Sequence, residues 1–519
     1  MESVTLKVVL FGASFLTLLA IQRYLEYSRL VQLMRAPSHS TTLLSQRSMI
    51  GLLTARGIPG VTRGRYTSWL NKHRSYAEEG WDAAVHVNIW PLGASVSLVD
   101  AAAIKEVTSA RARFPKPVKQ YNTLSFFGEN IVASEGEKWK RYRKITAPNF
   151  NDRNNKLIWD ETIRIMLDLF NNVWGSQENV ILDHTISITL PIALFVLSVA
   201  AFGQRISWKD DNTTPPNHRM TFKDALHEVS SNVMIKAFVP DWALGLTTHF
   251  RRIRLAYKEL NTHMLEMIAQ RRNAEKKEER EDILTNLLDA SADDPTFTDE
   301  EVMGNIFVFL IAGHETTAHT LCFTFALLAL YPDEQEKLFQ HIKSILPDGR
   351  IPTYEEMPLF TQSMAVLNET LRMYTPGHAI PKYSAEDTRL TISNAAGDKH
   401  DLILPQGTPV VIDAVGLHYN PRYWKDPEEF KPARFLNPDW PRDAFFPFSA
   451  GPRACLGRKF FETEGTAVLT MMISRYKIEI KEEPQFASET FAEKSARVLA
   501  SKPGITMTPL RVPLVFKRR

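Results

Sequence analysis

Apolar residues in this chain gather mainly into helix-length blocks, with a few short alternating runs between them. Val4 to Ile21 reads VTLKVVLFGASFLTLLAI, eleven strongly apolar residues broken by one charge, Lys7. The runs VHVNIW and SVSLV between Val85 and Val99, separated by Pro91 and Gly93, alternate as strands do and predict a hairpin. From there to about Pro376 the periodicity is mostly helical. The longest helix expected starts at Thr298, with Glu301 completing a capping box and Phe297 and Val302 placed for a hydrophobic staple. It should run to Tyr331 before Pro332, about 33 residues or roughly 50 Å. Strand character returns from Leu402 to Ile412, and from Lys477 the chain alternates and breaks at Pro503 and Pro513. The expected fold class is mainly α with a small β region (α+β).

The first block is long enough, with its flanks, to cross a bilayer core of about 20 helical residues. Its apolar side chains favour insertion by roughly 3 to 6 kcal/mol, and Lys7 lies near the end, where it can snorkel. Arg23, Arg29 and Arg35 follow with only Glu26 opposing, which holds that side in the cytosol. No small-x-small cleavage site follows the block, so it reads as an uncleaved single-pass anchor over 1–30, not as a signal peptide. Residues 31–65 read as a hinge or linker around RGIPGVTRG (Arg56–Gly64), and 66–519 as one catalytic domain. At 519 residues, with 44% hydrophobic and 23% charged, the chain is globular. A net charge of +3 gives no support for nucleic-acid binding. Two cysteines, Cys322 and Cys455, argue against a disulfide framework and for a reducing compartment.

Candidate chemistry sits in four places. The run FSAGPRACLG, Phe448 to Gly457, puts Cys455 in a tight turn just before a helical stretch, where unpaired amides favour a thiolate. In the middle of the long helix, AGHETT (Ala312–Thr317) sets a carboxylate and two hydroxyls into an apolar rod, where they need partners. Glu369 and Arg372 share a helix face, with Pro376 closing the helix and Arg434 further on in Pro-Ala-Arg-Phe. Trp139 and Arg143 are i,i+4 behind a second capping box, Ser134 and Glu137, and a face carrying an indole N–H and a guanidinium suits a carboxylate.

Phe-x-x-Gly-x-Arg-x-Cys-x-Gly resembles the haem-thiolate signature of the cytochrome P-450 family at every fixed position, and the other three motifs follow that family's order. The resemblance runs from about residue 60 to the C-terminus and implies a membrane-bound, microsomal type; the last third is similar to fungal members. It implies heme b (iron protoporphyrin IX) held by Cys455 as axial iron ligand, with Phe448 and Gly457 in the ligand loop. Trp139, Arg143 and Arg453 would hold the propionates, with Lys382 where relatives usually have arginine. Thr316 and Glu315 would be catalytic, arranging dioxygen and its proton supply. Glu369, Arg372 and Arg434 would secure the haem loop. Ala433 replaces the glutamate common in relatives, and the hinge is poorer in proline than is usual.

By the same resemblance, the activity would be monooxygenation, with O2 and NADPH-derived electrons as co-substrates. No flavin or Gly-rich dinucleotide segment is visible, so electrons would come from NADPH–cytochrome P-450 reductase, with cytochrome b5 as a second donor. Lys138, Lys140, Arg141 and Lys144 could attract such an acidic donor. The catalytic domain would face the cytosol on the endoplasmic reticulum membrane. Pocket walls are expected near Phe126-Phe127, Ala312 and Gly377–Ile380, and their apolar character points to a lipophilic substrate, terpenoids or other secondary metabolites being common in similar fungal enzymes. A haem-thiolate isomerase or dehydratase, or a non-catalytic haem sensor, are the alternatives; Glu315 and Thr316 together favour oxygen use. Cys322, in an apolar helix, reads as core. The histidines show no metal-like spacing, and three zinc ligands cannot be assembled from the sequence.

Overall fold

Where valine, isoleucine and leucine alternate with polar residues the chain makes strands, and where they recur every three or four residues it makes helices. The computed structural model describes residues 2–208, 214–273 and 282–519. The chain gathers into two compact units, the first comprising Met1–Pro117, Gly377–Glu429 and Pro441–Ala454, the second Val118–Pro376, Phe430–Trp440 and Cys455–Arg519. The expected boundaries at residues 30 and 65 both fall inside the first.

The first unit opens with helix α1 (Glu2–Met34), which exposes Phe11, Phe15, Leu16, Leu18, Leu19 and Ile21. It then forms a five-stranded sheet from β1 (Ser40–Leu44), β2 (Ala83–Trp90), β3 (Gly93–Leu98), β4 (Ala379–Tyr383) and β5 (Pro409–Asp413), in the order β1-β2-β3-β5-β4. β2 and β3 are the expected hairpin, antiparallel with His86 opposite Ser95. β1 adds parallel to β2, β5 parallel to β3, and β4 antiparallel to β5. Val85 and Val87, Val96 and Leu98, and Val410 and Ile412 are all buried, giving the period of two that a half-buried sheet requires. Helix α2 (Ala101–Ser109) follows β3, its first amides bonded to the Asp100 carboxylate.

The stretch expected as a hinge has regular structure. It holds β1, a short helix Met49–Leu53 capped by Ser48, and a strand pair Gly57–Ile58 with Thr62–Arg63. Backbone bonds from Leu43 and Leu44 to the carbonyls of Gly60 and Val61 tie the RGIPGVTRG turn back onto β1.

The second unit is helical: α3 (Gly136–Thr146), α4 (Asp152–Asp168), α5 (Ile186–Phe202), α6 (Phe222–Ser231), α7 (Thr248–Arg272), α8 (Asp299–Leu330), α9 (Thr361–Met373) and α10 (Arg458–Arg475). The capping box expected for α8 is present. Glu301 N–H donates to Thr298 Oγ1 at 3.2 Å, and Thr298 N–H to Glu301 Oε2 at 2.9 Å. Pro332 does more than stop α8, since it opens the next helix at its first turn. By length and composition α8 could cross a membrane, but 78% of its apolar window is buried, so it is the core helix of this unit. α5 packs along it through Leu190 and Ala193 against Ala318. At α3 the cap is Glu135, not Ser134 with Glu137: its carboxylate accepts the Gly136 amide. The C-terminal region holds strands, as expected, and also a helix, Phe491–Val498, which the capping box of Thr490 and Glu493 explains.

Candidate active site

The Cys455 turn is built by backbone constraint before any side chain acts. Gly451 sits at φ +67°, and a Cβ there would stand 2.5 Å from the Thr108 carbonyl oxygen of α2, so only glycine lets the turn lie against that helix. Gly457 then caps α10, and a Cβ on it would come to 3.9 Å from Cys455 Sγ. Cys455 is exposed, yet the protein around it pushes the thiol pKa up. The Gly457 amide and the charges of Arg143 and Arg458 act against that burial without overcoming it. The helix start alone therefore does not lower the thiol pKa. In the first unit, Phe448 and Arg453 are half-buried before the same turn, and Lys382 on β4 is only 5% exposed.

Within α8, nearly every residue around the Ala312–Thr317 stretch is buried, while Ala312 is exposed and Thr316 half-exposed, one turn apart on one face. Thr316 Oγ1 donates to the Ala312 carbonyl at 2.7 Å. Gly313 faces elsewhere, since a Cβ on it would meet Leu197 of α5 at 2.9 Å. That close approach packs α8 against α5, and α8 stays helical throughout. Glu315 is buried. Burial pushes its pKa up, opposed by a hydrogen bond with the Ser230 hydroxyl of α6, which in turn donates to the His227 carbonyl at 3.1 Å. His314 and His319 are held neutral, pushed down to about 3 by burial.

Glu369 and Arg372, both fully buried, pair through two bonds: Arg372 Nε to Oε2 at 2.7 Å and Nη2 to Oε1 at 2.9 Å. Arg434 Nε donates to Glu369 Oε1 at 3.0 Å, and the Lys431 amide donates to the same oxygen at 2.9 Å. The three residues named from sequence are thus brought together. Trp139 is buried and Arg143 lies over its ring, 5.7 Å from the centroid, in cation–π contact.

The basic residues of α3 do not make a positive patch. They share a cleft with four glutamates, Lys138 pairing with Glu129, Lys140 with Glu137, and Arg141 with Glu301. Glu137 is on α3 itself, while Glu129 and Glu301 come from neighbouring elements, which the reading of α3 alone did not weigh. Sequence reasoning also missed Ser230, and Tyr257 of α7. The Tyr257 ring packs against Phe126 and Phe127, at 5.5 and 5.8 Å, and Phe127 in turn against Phe307 at 4.6 Å. The Tyr257 hydroxyl is buried with no hydrogen-bond partner among the described residues.

An exposed thiol at the start of α10, in the same unit as a helix face opened at a single alanine, fits an iron porphyrin with a sulfur ligand. The comparisons agree. The sequence model described as "Cytochrome P450" matches residues 89–506. "Cytochrome P450 monooxygenase 124" of Postia placenta is 51% identical over 98% of this chain and 99% of its own length. "Cytochrome P450 monooxygenase ORF6" of Penicillium roqueforti is 28% identical over 87% of this chain and 84% of its own. The crystal structure of the cytochrome P450DA heme domain shares the fold, with TM-score 0.71 at 22% identity over 87% of this chain and 93% of that one. The chain belongs to the cytochrome P-450 family and is an enzyme of its monooxygenase class.

Proposed function

We propose that this protein is a membrane-anchored monooxygenase that hydroxylates a lipophilic small molecule, a terpenoid or another secondary metabolite, with O2 and NADPH-derived electrons delivered by a separate reductase. The observation that carries the reading is the pair of features in the second unit: the exposed Cys455 thiol at the start of α10, and the Ala312–Thr316 face backed by a buried acid. Heme b, when bound, supplies oxygen activation, which a thiolate ligand promotes. Cys455 would ligate the iron, and Arg143, Trp139, Arg453 and Lys382 would hold the propionates. Thr316 presents its hydroxyl beside Ala312, and Glu315 stores a proton in contact with Ser230. Phe126, Phe127, Phe307 and Tyr257 supply an aromatic wall suited to an apolar substrate. α1 anchors the chain in the endoplasmic reticulum membrane, with the catalytic part on the cytosolic face.

The test is reconstitution with the NADPH-dependent reductase and a panel of terpenes, sterols and fatty acids. Product should carry one oxygen atom from labelled O2 and require NADPH. Cys455→Ser should abolish both turnover and the thiolate-type absorption of the reduced carbon-monoxide complex, and Cys322→Ala should keep them. Turnover without O2 would favour the isomerase or dehydratase reading instead.

A further inference from the structure

Away from these residues, three ligand-type side chains meet where the segment before α6 crosses α7. His218 lies on that segment, and Glu259 and His263 are i,i+4 on α7. One donor atom from each lies within 4.8 Å of the others. The side chain of His218 is 3% exposed and that of Glu259 10%. Both histidine rings are oriented through Nε2. His218 Nε2 contacts Glu266 Oε2 at 3.0 Å, and His263 Nε2 the Met220 carbonyl at 3.2 Å. The Met220 carbonyl fixes His263 Nε2 as that ring's protonated nitrogen, whereas His218 lies between two carboxylates, one on each ring nitrogen. His218 Nδ1 lies 3.0 Å from Glu259 Oε2; His263 Nδ1 has no hydrogen-bond partner among the described residues.

A metal-binding histidine characteristically gives its other ring nitrogen to a carboxylate or a backbone carbonyl, and both histidines here are arranged that way. We propose that His218, Glu259 and His263 form a zinc-type divalent metal site, with Glu266 and the Met220 carbonyl as the groups that orient the two rings. Two imidazoles and one carboxylate are a donor set suited to zinc, which would keep a fourth position for water. The ion would replace the proton between His218 Nδ1 and Glu259, their 3.0 Å separation opening toward the roughly 3.4 Å that two metal–ligand bonds of about 2.0–2.2 Å subtend at a tetrahedral angle. The rings now stack at 3.7 Å and 5°, so binding one ion through both turns one ring out of the stack. A cavity of about 360 Å³, lined in part by His263, Glu266, Thr221 and Gln270, gives the ion a route in. The ion would tie the segment ending at Thr221, the cap of α6, to α7. α6 carries Ser230 at its other end.

The probe is zinc alone, added to untagged haem-loaded protein and followed by calorimetry and by elemental analysis after dialysis, with haem iron as the internal count. About one zinc per iron is expected in the wild type. His218→Ala and His263→Ala should each weaken binding at least tenfold, and Glu266→Gln by about tenfold, as loss of an orienting partner does. Reduced carbon-monoxide spectra check that each variant is folded; Glu259→Gln, which preserves the side chain's shape, stands in if a histidine variant is not. No zinc bound at micromolar concentration overturns the proposal, as does binding that His218→Ala, His263→Ala and Glu259→Gln leave unchanged.

Discussion

Thr316 and Thr317 are adjacent, with opposite surroundings: the first borders the opened face of α8, the second is 3% exposed in the core. Thr316→Ala removes the hydroxyl beside Ala312 and little packing. Haem content and substrate affinity should stay near wild type while coupling falls, NADPH being spent increasingly on hydrogen peroxide because proton delivery is less ordered. Thr317→Ala should leave coupling intact and register instead as about 1 kcal/mol of lost stability. Equal, wild-type coupling in both variants, measured as product per NADPH oxidised, would make the polar stretch a helix irregularity and nothing more. Glu315 adds a pH test. Burial raises its pKa, so the neutral acid persists above the ordinary glutamate range and ionises only as pH rises through the raised value. If the neutral form hands on the proton, coupling holds below that value and declines above it, and Glu315→Gln should abolish the decline. A profile unchanged by Glu315→Gln would remove this residue from the proton route.

Among the elements, the α9 cluster is the most demanding electrostatically. Glu369 and Arg372 are wholly buried, and Arg434 and the Lys431 amide complete the glutamate's contacts. Removing one partner leaves a buried charge uncompensated, at a cost of about 3–5 kcal/mol. Arg372→Ala should therefore express poorly and lose haem, with residual protein melting well below wild type. Arg434→Lys keeps the charge but not the fork, and should fall between the two. Full haem occupancy and an unchanged melting temperature in Arg372→Ala would show that the cluster has no such role. This cluster was legible because a spacing of three puts Glu369 and Arg372 on one face; Arg434 came from the resemblance, and the Lys431 amide could not be foreseen. α8 was legible because Thr298 and Glu301 mark its start. Contacts between distant segments were not: His218 is 41 residues from Glu259, and the acids that neutralise α3 include Glu129 and Glu301. The folded hinge was missed because its order comes from pairing with β2, not from local pattern.

At the scale of the whole molecule, α1 is the element whose apolar surface the protein leaves uncovered. Phe11, Phe15, Leu16 and Leu18 are each more than half exposed, and burial of such surface is worth about 25 cal/mol per Å². Further along, α1 changes character: the Tyr27 hydroxyl bonds His39 and Thr41 of the first unit, and Met34 is fully buried. A cut after residue 22 thus removes the uncovered part and spares the packed part. That truncation should move the protein from carbonate-resistant membrane association to the soluble or salt-extractable fraction with its haem retained, since no proposed haem contact lies in α1. Some salt-sensitive attachment should remain, because the first unit also exposes Met49, Ile50 and Leu53 on a short helix. Carbonate-resistant retention of the truncated chain, assayed on washed membranes, would mean that a segment other than α1 spans the bilayer.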